Sequence, residues 1–299
     1  MSKENRIRPV QSCVSEKAWA KLNISLDVTE RRADGYHNMV MVMQTVSLSD
    51  EVSIRLNNAG TVRACSNLSF IPGDERNLAV RAALRYLREI GCESQGIDIT
   101  LDKHIPVGAG MGGGSSDAAA VLRALNLMYG RPLSMAELER ISGDVGSDVP
   151  FCISGGTSLA KGRGEELTVL PPLPPCRFII CKPDFSVSTP ELFKKLDQIS
   201  LRIHPDTAGI VSALGRGELK EICRRMYNVF EDVDDRRLRK ISEIKNMLLD
   251  FGALGAVMTG TGSAVFGVFP PEFDGTRAVA ALKKEYGFCA SAEAVERIV

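Results

Sequence analysis

The 299-residue sequence lacks an excess of charge of either sign, since 37 Lys and Arg offset 37 Asp and Glu. A balanced chain offers no long-range field to gather nucleic acid or an anionic membrane, so neither is expected as a partner. Also missing is any apolar run near the roughly 18 residues of a membrane span. The first 23 residues carry charges but no apolar segment of the kind a secretory signal needs, so a cytoplasmic protein is the expectation. Histidine is scarce, with three isolated copies, and no two of the eight cysteines form a C-x-x-C pair. Zinc sites are built from closely spaced ligand pairs, so no metal centre declares itself, and the cysteines read as free thiols in a reducing compartment. Composition leaves the oligomeric state open between a monomer and a weak dimer.

What the chain does have is 44% hydrophobic residues, enough for a sizeable core, and a length that suits two domains. Val14 to Val28 and Met39 to Leu56 are rich in apolar and β-branched residues and read as strands joined across Asp34-Gly35. Helical spacing marks Glu75 to Ile90, Ser116 to Tyr129 and the Leu238, Ile241, Ile244, Leu248 stripe, with Gly91, Gly130 and Gly252 as stops. Ser134 and Glu137 form a capping box. Thr189 reads as the N-cap of a further helix, with Pro190 at its first position. Strands are expected at 97–101, 177–181, 254–258 and 264–269. Four prolines between Pro171 and Pro175 can continue neither helix nor central strand. The boundary is placed there, giving an 11–170 and a 171–299 domain, of α+β class because strands and helices do not alternate regularly.

The most informative stretch is Pro106-Val107-Gly108-Ala109-Gly110-Met111-Gly112-Gly113-Gly114-Ser115-Ser116, leading into a helix of small residues. Without Cβ atoms, such a loop can turn its N–H groups towards one point. The helix that follows adds free amides and the positive end of its dipole. An anion is the natural occupant, most simply the phosphates of a nucleotide. Gly108, Gly110 and Gly113 also satisfy G-x-G-x-x-G. The dinucleotide reading then needs a strand with an acidic residue about 20 positions on, and that region instead opens a helix at Ser134. The Walker loop fails because Gly114 stands where its lysine belongs. A tight turn with no ligand is the remaining alternative.

Taken with three other segments, this loop resembles that of the GHMP kinases. Those segments are Ala18-Trp19-Ala20-Lys21-Leu22-Asn23 with Ala33-Asp34-Gly35-Tyr36-His37, then Gly146-Ser147-Asp148-Val149-Pro150-Phe151, and Thr259-Gly260-Thr261-Gly262-Ser263. They occur in the family's order between Lys17 and Phe269. Trp19 and Ser147 depart from the commoner residues without removing a reactive group. The resemblance implies a two-domain GHMP kinase fold with ATP and substrate in the cleft between domains. It implies transfer of the γ-phosphoryl of ATP, with Mg²⁺, to the 2-hydroxyl of a cytidine diphosphate derivative of methylerythritol, a step of non-mevalonate isoprenoid biosynthesis. Other GHMP small-molecule kinases and a catalytically silent binding protein of the same fold are the alternatives.

The resemblance also implies roles. Asp148 is the base and Lys21 its charge partner, although a capping aspartate and a solvent-facing strand lysine are the plainer readings of each. The loop from Pro106 to Ser116, with Asn77, holds the nucleotide, although Asn77, Ser115 and Ser116 would look alike as helix caps. Asn23, Tyr36, His37 and Phe193 meet the substrate, the base stacking between Tyr36 and Phe193 and being read by His37. The protein ligands of Mg²⁺ stay open, as does the Gly162-Arg163-Gly164 stretch.

Overall fold

The structure, a computed structural model, describes residues 7–298. It opens with two long antiparallel strands, β1 (Cys13–Arg31) and β2 (His37–Asn57), joined by a turn in which Gly35 has φ 85°. β1 is buried on both faces through its middle: Ala20, Leu22 and Ile24 alternate with Lys21, Asn23 and Ser25, and all are under 5% exposed. Breaks in register fall at Trp19/Lys21 and Asn23/Ser25. Such bulges bend a strand and re-aim its side chains. They bracket the lysine and asparagine that matter below.

β3 (Val62–Ser66), α1 (Leu78–Glu89), β4 (Gly96–Asp102), α2 (Gly113–Met128), α3 (Met135–Ser142) and α4 (Val149–Ser154) follow, then β5 (Thr157–Lys161) and β6 (Glu166–Val169). The first sheet runs β3-β4-β2-β1 and ends on the short Tyr227–Asn228 strand, β8, with β5 on β2 and β6 on β5. α2 carries Ala118, Ala119, Val121, Leu122 and Leu125 with no exposed surface, and it is buried nearly all round. A helix of that kind belongs inside, and α2 packs between α1, α4 and β1. The expected capping box opens α3.

Beyond the prolines come β7 (Arg177–Lys182), α5 (Thr189–Leu196), α6 (Thr207–Arg216), α7 (Leu219–Arg224), the short β8 (Tyr227–Asn228) and α8 (Leu238–Asp250). β9 (Gly255–Met258), β10 (Val265–Phe269), α9 (Thr276–Tyr286) and β11 (Phe288–Glu293) complete the chain. The second sheet is antiparallel throughout, ordered β11-β7-β10-β9. The four apolar residues expected on one face of α8 are its four buried ones. Each contributes on the order of 2 kcal/mol by leaving water. Two segments cross back to the first sheet: β8 pairs parallel with β1, and bridges join Ala294 to Val46 and Arg297 to Gly155. No described helix is long and apolar enough to cross a membrane.

Candidate active site

The glycine loop leaves β4 and enters α2 one turn earlier than its sequence suggests. Gly112, at φ 70°, is the N-cap, and Gly113 to Ser116 already form the first turn. Ser115 and Ser116 are therefore inside the helix and cap nothing. The Ser116 hydroxyl donates to the Trp19 carbonyl at 2.6 Å and is buried, so it ties α2 to β1. Ser115 stays open to the cavity described below.

Two glycines are required by what surrounds them. A Cβ at Gly110 would lie 2.1 Å from the Thr259 carbonyl oxygen, and one at Gly112 would lie 3.0 Å from Lys21 Cγ. The loop is threaded between β1 and the turn from Thr259 to Ser263. Lys21 N donates to Met111 O at 3.1 Å, Ala264 N to Ala109 O at 3.1 Å, and Thr259 Oγ1 to Gly110 O at 3.2 Å. Among the described residues, the amides of Gly110 and Gly112 donate to no protein acceptor. In the first turn of α2 the amides of Gly113, Gly114 and Ser115 have no acceptor within the helix, while Ser116 N donates to Gly112 O at 2.8 Å. Ala109 and Met111 face inward and are buried. Pro106 and Val107 border a separate hollow with Leu68 and Phe70.

Beneath the loop, Lys103 Nζ lies between the carboxylates of Asp50 and Asp117, all three buried. Asp50 also accepts from the backbone of His104 and Ile105. Burial pushes the Asp117 carboxyl up to about 7, with the Lys103 ammonium opposing the rise and the Asp50 charge adding to it. Its Oδ1 has no partner among the described residues, which adds to the cost of ionising it.

The two expected catalytic residues meet. Lys21, only 4% exposed, holds its ammonium 3.5 Å from Asp148 Oδ2 and donates to Asn23 Oδ1 at 2.7 Å. Asp148 occupies the N-cap position of α4, yet its side chain makes no cap hydrogen bond, which leaves the carboxylate to the cavity and to Lys21. Asn23, expected against substrate, is instead fully buried. Besides accepting from Lys21, its side-chain amide donates to the Met41 sulfur, and its backbone N–H donates to Thr259 Oγ1 at 3.0 Å. It holds Lys21. Asn77 is likewise engaged elsewhere: its oxygen caps α1 at Ala79 N and its amide donates to the Pro72 carbonyl.

Lys21, Asp148, Gly110, Gly112 and Ser115 line one end of a cavity of about 1000 Å³. Tyr36, His37 and Phe193 line the same cavity. They do not form an open slot. His37 stacks on Phe193, with ring centroids 4.6 Å apart and planes 23° apart, and Phe193 meets Phe230 edge-on. Tyr36 is exposed at the hairpin tip, with the Arg163 guanidinium 5.2 Å from its ring centre. α5 begins one residue earlier than expected, with Ser188 as N-cap. The Thr189 hydroxyl is thereby free to bond Thr261 Oγ1 at 2.8 Å.

Three cavity residues escape a reading of the sequence. Arg163 lies in a stretch whose glycines are its only signal, and Gly164 sits beside Asp148 with φ 116°. Thr261 belongs to a recognised motif that carries no role for it. Asp197 looks like any acid at a helix end, and it accepts from His37 Nε2 at 2.7 Å.

The family of GHMP kinases N terminal domains matches residues 77–156, and that of GHMP kinases C terminal domains matches 210–287. The chain is 43% identical to the 4-diphosphocytidyl-2-C-methyl-D-erythritol kinase of a Geobacillus strain over 84% of its own length and 86% of the relative's. It is 41% identical to the enzyme of that name from Clostridium tetani, over 90% and 96%. A crystal structure of 4-(cytidine 5'-diphospho)-2C-methyl-D-erythritol kinase superposes with a TM-score of 0.77 at 32% identity, covering 94% of this chain and 99% of that one. A homoserine kinase from Cytophaga hutchinsonii shares the fold, at TM-score 0.76 and 22% identity. With its glycine loop, both matched regions and these relatives along most of its length, the chain belongs to the GHMP kinases, a family of ATP-dependent enzymes that phosphorylate small molecules.

Proposed function

We propose that the chain phosphorylates the 2-hydroxyl of 4-diphosphocytidyl-2-C-methyl-D-erythritol with ATP, as the names of its relatives suggest. The observation that carries this reading is the Lys21–Asp148 pair, 3.5 Å apart where the glycine loop meets the cavity. Phosphoryl transfer asks a protein for positioning and for relief of negative charge. The open amides of Gly110, Gly112 and the first turn of α2 take the phosphates of ATP. Asp148 accepts the proton of the 2-hydroxyl as its oxygen attacks the γ-phosphorus and ADP leaves. Lys21 orients the Asp148 carboxylate and faces the charge spreading over the transferred group. Asn23 and Thr259 fix Lys21 from behind.

The Ser115 hydroxyl faces this part of the cavity, a hard oxygen donor suited to a Mg²⁺ shared with nucleotide phosphates. Bound there, the ion would offset charge on those phosphates. Tyr36, His37 and Phe193 take the cytosine at the far end. For a base to stack on Phe193 and meet the edge of His37, the imidazole must slide from the face it covers.

The same reading divides the chain at Pro171. Residues 11–170 carry the loop and catalytic pair, and 171–299 carry the helix with Phe193. The two sheets support that division, apart from β8 and the bridges at Ala294 and Arg297. Phosphorus NMR of the product tests the proposal. One new phosphomonoester coupled to the C2 position is the expected outcome, and a phosphate on another hydroxyl would refute it.

A further inference from the structure

His37 is held on two sides by one helix end. Phe193 and Asp197 stand four residues apart, the spacing that places side chains on one helix face. The ring of Phe193 stacks on the imidazole, and the Asp197 carboxylate receives its Nε2. Arg31 approaches the second carboxylate oxygen at 3.6 Å. An ionised carboxylate only accepts, so Nε2 must carry the hydrogen. In the neutral imidazole the other nitrogen, Nδ1, then presents a lone pair. No hydrogen bond engages Nδ1 among the described residues, and His37 lines the cavity.

We infer that Asp197 is a specificity-determining residue: by holding the hydrogen on Nε2 of His37, it makes Nδ1 an acceptor that takes an amino-bearing pyrimidine and rejects its keto counterpart. The exocyclic amino group of cytosine donates to that lone pair. The carbonyl at the same position of uracil sets one lone pair against another, and a buried mismatch of this kind costs more than a hydrogen bond merely absent. Stacking cannot make the distinction, because both pyrimidines offer similar faces. Asp197 acts through His37, so it is a positioning residue. The inference rests on the cytidine reading above and adds to it the group that enforces the choice of base.

Two measurements test it. The first is nitrogen-15 NMR of the free protein, tractable because the chain has three histidines. His37 should show a hydrogen on Nε2 and an unprotonated Nδ1 in the wild type, and a mixture of tautomers in Asp197→Ala. A hydrogen on Nδ1 in the neutral wild-type ring would overturn the inference without touching the substrate assignment. The second compares kcat/KM for the cytidine and uridine diphosphate derivatives of methylerythritol. Asp197→Ala should lower the cytidine-to-uridine ratio about tenfold, the equivalent of about one hydrogen bond, with the loss carried by KM. Asp197→Asn should keep most of the ratio, because its carbonyl oxygen can still accept from Nε2. An unchanged ratio in Asp197→Ala would overturn the role of Asp197. A wild type with no preference between the two substrates would sink the cytidine reading itself, and the inference with it.

Discussion

A lysine buried to 4% exposure and hydrogen-bonded to an asparagine is poorly placed to interact with water. Desolvating an ammonium is costly unless partners replace the water, and here Asn23 and Asp148 do so. With its carboxylate unused by α4, Asp148 is available to take a proton. Asp148→Asn keeps the shape and removes the base, so turnover should fall by about 10²-fold or more while ATP affinity stays near wild type. Single-turnover kinetics beside calorimetry check this, and turnover within a few-fold of wild type would remove Asp148 from the role. At this scale the sequence is legible only through motifs. No spacing relates Lys21 to Asp148, 127 positions apart, and the pair is found because two family segments are recognised together. Asn77 and Ser116 show the opposite case. Their residue types suit phosphate, but local geometry engages both, one in a cap and the other in a bond to the Trp19 carbonyl. Asp197 gave no signal because its importance lies in a partner 160 residues away.

Among the elements, α2 and the loop before it carry most of the argument. Gly112→Val should weaken ATP binding for two reasons. A β-branched residue disfavours φ 70°, and its Cβ would press on Lys21 Cγ. Unchanged nucleotide affinity by calorimetry would place the phosphates elsewhere. The Asp50–Lys103–Asp117 cluster beneath the loop makes a different prediction. The folded-state value for Asp117 lies above that of an unfolded aspartate (~4), so the folded protein holds a proton the unfolded chain has released. Its stabilising contribution is present below about pH 4 and is lost as pH rises towards 7. Asp117→Asn cannot titrate, so its melting temperature relative to wild type should rise across that window. A constant difference between the two proteins would mean that Asp117 is ionised throughout. Long periodic elements were legible: β1, β2, α1, α2 and α8 lie where their patterns put them, within a few residues. Short ones such as β5, β6 and β8 were not: β5 and β8 pair with strands far along the chain, and β6 is four residues long with β5 as its partner. Helices α6, α7 and α9 also went unread. α7 and α9 bury only two and three residues each, so their apolar stripes are thin.

Across the whole molecule, the cavity joins two kinds of chemistry. One end presents open amides, a lysine and a carboxylate, which suit phosphoryl transfer. The other presents aromatic rings and a histidine, which suit a nucleobase. The proline segment separates the sheets, and β8 with residues 294–298 reconnects them, so both ends of the cavity are referenced to β1 and β2. Tyr36 and His37 come from the hairpin between those strands and Phe193 from α5, so the proposed recognition of the base draws on both halves of the chain. Phe193→Ala should therefore raise KM for a cytidine-bearing substrate while leaving that for a substrate without cytidine little changed. Equal effects on both would make Phe193 a support of the fold. The most direct measurement of the central claim is a coupled assay of ATP consumption by the wild-type protein. It would compare 4-diphosphocytidyl-2-C-methyl-D-erythritol with the methylerythritol phosphate that lacks cytidine. The account predicts turnover of the first at a kcat/KM at least about 10²-fold above the second, from stacking and hydrogen bonding to the base together. Equal turnover of the two, or no ATP consumption with either, would contradict it.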